Sequence, residues 1–499
     1  MRKFALLFPL FLIPILAYGE LSVSLDGGIS GITSNSVIDI DHDSASVWLG
    51  TGGGASSSTD GGLTWITYGT PTLPSDEVSA LAANDRGIWV ANSHSQAEAG
   101  EAYPFGDGIS VSRDGGQSWY TSNAEQVRYY GKLSYDLALY DTLAFSACFY
   151  GGLIRSTDYG QTWKNLFATQ LDSSNADSVD YHGFHYENLS NRFFSVKTDT
   201  TEFPGIFSVW GGSAKGITRF LFYADTLTQA FHTYPDSIEQ IYYLYGDTTI
   251  DDSLQLPGNH VVALGINKVD TLKYIWAACR PVSSGEARRV GFSIDNGQTW
   301  HEVNITDPSG DDDVEAWDFA FSHDTVYVAT SFGLYRSSGD YYSWTLLSGF
   351  RDPERQTFYQ DNAAFYSADI VDGTLWAGGA DGVVKSVSEG WDVFRSQRDP
   401  TEHYAYPTPF SPKISTRRGT TIHFLPTENT HATVKIYDFN MELVSTVADN
   451  LPRLGDVESD DIVWDGTNDK GKTVANGVYY YRIQLDYGED LWGKVVVIK

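Results

Sequence analysis

The chain has 499 residues, enough for two or three domains or for one large repeat array with an appendage. It carries 64 acidic against 33 basic residues, a formal net charge of −31, so a phosphate backbone would be repelled and no nucleic-acid partner is expected. Two cysteines, Cys148 and Cys279, cannot build a disulfide framework, while 48 glycines and an aromatic content of 14% suit short strands joined by tight turns, hence an all-β chain.

Arg2 and Lys3 precede an apolar run from Phe4 to Leu16, followed by Ala17-Tyr18-Gly19. This reads as a secretory signal over residues 1–19, cut before Glu20. The run of 13 residues is short of the roughly 20 that cross a bilayer, and no later segment reaches that length without charges. The mature chain is therefore expected outside the cytoplasm, with no transmembrane segment.

A pattern S-x-D-x-G-x-[ST]-W then occurs four times, at Ser58–Trp65, Ser112–Trp119, Ser156–Trp163 and Ser293–Trp300, with its carboxylates at Asp60, Asp114, Asp158 and Asp295. Eroded copies lie at Ser337–Trp344, where Gly339 takes the aspartate place, and at Ser386–Trp391. The aspartate places are separated by 54, 44, 137 and, counting Gly339, 44 residues; the shorter spacings are near the period of a four-stranded propeller blade, and the long one is filled by one irregular blade with insertions. Between copies, alternating inner strands start near Val37, Val78, Tyr135, Phe193, Val261, Trp317 and Tyr366, and each leads to an aromatic strand ending in small residues. Residues 20–398 thus predict a seven-bladed β-propeller whose fourth blade lacks the pattern. In a glycine-containing turn, the Ser and Asp can bond the turn's own backbone while the Trp covers the neighbouring layer. The pattern resembles the Asp-box, or BNR repeat, of sialidases, some xyloglucan-cleaving enzymes, sortilin-like receptors and other secreted propellers. That resemblance implies a box between the outer two strands of each blade, far from the central pocket. Asp60, Trp65, Asp114, Trp119, Asp158, Trp163, Asp295 and Trp300 are accordingly expected to be structural.

Three prolines within Tyr406–Pro412 mark a joint, assigned to residues 399–411. Residues 412–499 alternate as short antiparallel strands, the pattern of a small Ig-like β-sandwich. The order Tyr-Pro-x-Pro-Phe-x-Pro, Val434-Lys435-Ile436-Tyr437-Asp438, Trp464-Asp465-Gly466 and a closing Lys494-Val495-Val496-Val497-Ile498-Lys499 resembles a FlgD-type Ig-like domain. In particular it is similar to the C-terminal sorting domains of the type IX secretion system, although Thr408 stands where that family usually has asparagine. The resemblance implies recognition by that machinery and release or attachment at the outer surface of a bacterium with an outer membrane. Asp465, Asn468 and Asp469 look like fragments of a calcium loop, but their spacing fits a turn better.

Candidate chemistry falls on the inner strands and on segments that break the repeat. Asp39, Asp136, Asp318 and Asp369 each stand near the start of an inner strand. Such a ring could hold a cation or supply an acid and a base, Asp39 and Asp318 being the candidate catalytic pair; otherwise each aspartate bonds backbone within its own blade. His182 and His185, near Glu187, could bind a ligand or metal, and Arg280 with Arg288 and Arg289 could meet a carboxylate, although solvated loops are the simpler reading. No metal site or cofactor is assigned, calcium being the one ion considered. No Arg-Ile-Pro segment and no arginine triad supports a sialidase, and one propeller does not make the two-propeller cleft of the xyloglucan-cleaving relatives. The expected function is non-catalytic binding of an extracellular glycan or protein. A glycoside hydrolase is the alternative, and an envelope assembly factor a third.

Overall fold

The computed structural model describes residues 21–22, 31–98, 101–122, 133–149, 151–166, 192–201, 205–224, 231–233, 255–281, 288–310, 314–353, 357–396, 403–406, 408–412, 419–455, 459 and 462–498. The signal reading and His182, His185 and Glu187 lie outside them. Among the described residues no helix is long and apolar enough to cross a membrane.

Between residues 37 and 394 the chain forms a propeller-like array of seven small antiparallel sheets of four strands each; Leu21–Ser22 adds a fifth strand to the second, and Arg351–Asp352 pairs with Thr357–Phe358 in a separate two-stranded sheet. Their innermost strands are Val37–His42, Glu77–Asn84, Ser134–Tyr140, Phe193–Thr200, His260–Val269, Ala316–Ser322 and Phe365–Val371. Each innermost strand contacts that of the next sheet, and the first also contacts the seventh. The second strands are buried on both faces, as Val47–Thr51 shows, so they read as continuous runs of apolar and small residues. Small residues recur where adjacent sheets press closest. A Cβ on Gly50 would stand 2.7 Å from Val78 Cγ1 of the second sheet, and one on Gly378 only 2.5 Å from Val37 Cγ1 of the first.

Each full Ser-Asp turn joins the third and fourth strands of its sheet. Ser58 Oγ accepts from the Gly62 amide at 2.8 Å and donates to Asp60 Oδ1 at 2.8 Å, while Asp60 accepts from the Thr64 amide and hydroxyl at 2.9 and 2.6 Å. The turns at Ser112, Ser156 and Ser293 repeat these bonds. The turn's tryptophan packs edge-on against an indole of the preceding sheet: Trp119 on Trp48 at 6.3 Å, Trp163 on Trp89 at 5.9 Å and Trp344 on Trp276 at 6.4 Å. Trp300 shares a core with Trp210. For the first sheet the preceding one is the seventh, since Trp65 meets Trp376 at 6.3 Å. Cys148 and Cys279 are buried on the second strands of the third and fifth sheets and are not joined in a disulfide.

After the seventh sheet come a three-stranded sheet built from Tyr404–Tyr406, Thr420–His423 and Val463–Trp464, and a four-stranded one from Thr430–Tyr437, Leu443–Arg453, Gly477–Gln484 and Leu491–Val497. Their inward residues, among them Ile422, Val434, Trp464 and Ile483, share one core. The Tyr406 hydroxyl donates to Asp381 Oδ1 at 2.5 Å and Arg395 pairs with the same carboxylate at 2.8 Å, fastening this part to the seventh sheet.

Candidate functional site

All seven innermost strands carry a β-bulge near their start, after the first ladder pair in five of them and after the second in the strands from Glu77 and His260. A bulge leaves one residue outside the pairing and re-aims it. The seven residues so placed are Ile38, Ser79, Val262 and the four rings Tyr135, Phe194, Trp317 and Tyr366, and all of them line one cavity of about 360 Å³. The Tyr135 and Phe194 rings lie 5.6 Å apart, and Trp317 meets Tyr366 edge-on at 6.4 Å.

The next residue of each strand forms a second row: Asp39, Ala80, Asp136, Ser195, Ala263, Asp318 and Ser367, each opposite a glycine or alanine. Asp369 does not belong to it. The innermost strand of the seventh sheet begins at Phe365, so its row position is Ser367, and Asp369 falls one pleat further on with Asp41 and Lys197.

The three row aspartates bond backbone within their own sheet, as the sequence suggested, and also in a neighbouring one. Asp39 accepts from its own strand's Ile40 amide at 2.9 Å and from Leu81 of the second sheet at 2.7 Å. Asp136 accepts from Leu137 and from Val196 of the fourth sheet, and Asp318 from Phe319 and from Ala368 of the seventh. These bonds satisfy amides on the free edges of innermost strands. The Ser367 hydroxyl donates to Asp318 Oδ2 at 2.8 Å, lies 3.4 Å from Asp39 Oδ1, and accepts from the Ile40 amide at 3.1 Å.

Burial, followed by repulsion from Asp136 and Asp318, holds the Asp39 carboxyl well above the usual carboxylate range. Burial likewise pushes Asp136 up to about 6 and raises Asp318. Lys197 is raised above an ordinary lysine because Asp136, and then Asp318 and Asp39, surround its ammonium.

Further along, His42 Nδ1 lies 2.6 Å from Asp369 Oδ2, and that hydrogen bond lifts the imidazole to about 9. Asp41 is pushed to about 7, first by desolvation and then by Asp369. Potential ligand atoms of Asp41, His42 and Asp369 lie within 4.8 Å of one another, the one metal-compatible trio among the described residues. Arg280 is not a solvated loop residue. It ends a strand at the cavity, pairs with the largely buried Glu315, and holds its guanidinium 4.8 Å from the Trp317 ring centroid. Arg289 pairs with Glu302 at 2.9 Å.

Sequence reasoning therefore located Asp39, Asp136, Asp318 and Arg280 at one cavity, displaced Asp369, and missed Lys197, Ser195, Ser367 and the aromatic collar. A signal for the collar was present: an aromatic residue stands immediately before the row position at Tyr135, Phe194, Trp317 and Tyr366.

Residues 411–489 match the family described as the FlgD Ig-like domain. Among curated proteins none matches the chain. Several solved structures are similar at low identity. PorZ, a surface component of the type IX secretion system of Porphyromonas gingivalis, is 15% identical with a TM-score of 0.31, over 92% of this chain and 70% of that one. The extracellular domain of the one-component system BT4673 from B. thetaiotaomicron is 14% identical with a TM-score of 0.43, over 94% of this chain. The GH74 enzyme of Niastella koreensis is 14% identical with a TM-score of 0.49, over 95% of this chain and 74% of that one. This chain spans 59% of the BT4673 domain's length.

Proposed function

We propose that the seven sheets are blades of a closed propeller, residues 20–398, whose axial funnel binds an extracellular glycan or protein without catalysis. A C-terminal Ig-like module over residues 412–499, after a joint at 399–411, directs the protein through the type IX route to the surface. The observation that carries the binding reading is the ring of seven bulges, since each blade spends its irregularity on aiming one side chain into the same cavity. Closure is supported by the Trp65–Trp376 contact and by the Ile40–Ser367 bond between first and last sheets. The sorting reading is supported by the FlgD Ig-like match.

A glycoside hydrolase remains the second reading because Asp39 and Asp318 flank a single Ser367 hydroxyl and burial raises Asp39 well above the usual carboxylate range. Against it, each row carboxylate already accepts from two backbone amides. The test is a glycan and protein array with the purified chain, beside an assay of reducing-end release from polysaccharide mixtures. Binding lost on Trp317→Ala, with no release, is the expected result. Release abolished by Asp318→Asn would establish the hydrolase instead. Deleting residues 404–499 is expected to abolish surface localisation, read by surface protease accessibility; unchanged localisation would reject the sorting role.

A further inference from the structure

The charge and hydrogen-bonding state of the cavity narrow the ligand class, a step that rests on the funnel being the binding site. Two groups of the fourth sheet's innermost strand, Ser195 and Lys197, line the cavity without committed partners. The Ser195 side chain is 2% exposed and its hydroxyl has no hydrogen-bond partner among the described residues. Among those residues Lys197 likewise makes no side-chain hydrogen bond or close ion pair, although Asp136, Asp318 and Asp39 attract it from further off. Its ammonium therefore presents three unused donors beside carboxylate oxygens that still have open lone pairs.

Three carboxylates against one ammonium oppose an anionic group, and Arg280 is already paired with Glu315, so its charge is not free to recruit an acid. A cation would compete with the Lys197 ammonium, which already serves as counter-charge to those carboxylates. A neutral hydroxyl, which accepts from Lys197 and donates to a carboxylate, complements both charges. The four collar rings line the same cavity and supply apolar surface for C–H groups. The cavity volume of about 360 Å³ is near the lower end of the usual range for ligand sites, about 300–1,000 Å³. Because all seven innermost strands contribute to its wall, an extended chain has no lateral groove to follow.

We propose that the funnel takes the terminal unit of a neutral glycan end-on, with Lys197 and Ser195 bonding its hydroxyls and the collar stacking on its ring. The test is titration calorimetry of the full chain with linear neutral pentasaccharides of glucose, xylose and mannose, free or with both ends blocked by bulky aryl caps. Hexauronate and pentalysine serve as charged probes. At least one free pentasaccharide binds, and end-capping or Lys197→Met weakens it about tenfold or more, the scale of a charge-assisted hydrogen bond. Lys197→Arg, which keeps the donors, retains most affinity, and Ser195→Ala gives a smaller loss in a variant that melts like the parent. Equal affinity for capped probes, tighter binding of a charged probe, or an unaltered Lys197→Met variant overturns the inference. If a charged or capped probe binds and Trp317→Ala abolishes it, the funnel stands as a site and only the ligand class falls. Silence from every probe would sink both.

Discussion

Ser112 shows how one hydroxyl organises a turn. It is fully buried, accepts from the Gly116 amide at 2.8 Å, and orients Asp114 by donating to it at 2.8 Å. Ser112→Ala strands that amide without a partner and is expected to cost about 1–3 kcal/mol in chemical denaturation. The two kinds of aspartate respond oppositely to pH. Desolvation alone would raise Asp60, but bonds from the Thr64 hydroxyl and amide and from Ser58 together hold it at about 2. Such lowered groups contribute stability above their unfolded value, near 4, which is lost as pH falls toward 2. Asp136, raised to about 6, contributes stability below its unfolded value that is lost as pH rises from about 4 through 6. Melting temperatures from pH 4 to 6 should therefore fall more steeply in the parent than in Asp136→Asn; identical slopes would remove Asp136 from that window. At this scale the turns were legible because donor and acceptor lie within an eight-residue pattern. The funnel bonds were not, since Asp39 and Asp136 find partners 42 and 60 residues away.

At the scale of the strand, apolar patterning sufficed to locate the seven innermost strands to within a residue or so, although their burial does not strictly alternate, as Val37–His42 shows. The bulges left no such trace. Asp369 was grouped with the wrong row because it lies two residues past Ser367, on the same face and one pleat further on, and composition does not mark which of the two stands at the row position. Close approach of neighbouring sheets also carries a cost that can be measured. Gly50→Ala would bring a Cβ to 2.7 Å from Val78 Cγ1 and is expected to destabilise by about 1–3 kcal/mol. A neutral effect in denaturant unfolding would mean that the first two sheets stand further apart than described.

For the whole molecule, sequence and structure agree on an all-β chain with an Ig-like C-terminal part, matched over residues 411–489. The ligand was not legible, because the groups that would read it come from seven strands spread over more than 300 residues and only folding brings them together. Everything proposed for the funnel depends on the ring being closed. The proposed closure can be tested at one contact: Trp65, in the first sheet, meets Trp376 and Phe394 of the seventh, at 6.3 and 5.7 Å. A double-mutant cycle of Trp65→Leu and Trp376→Leu, read by chemical denaturation, measures that contact directly. Closed blades predict a coupling energy of about 0.5–1.5 kcal/mol. Strictly additive losses would mean that the first and last sheets do not touch and that the funnel has no wall on that side.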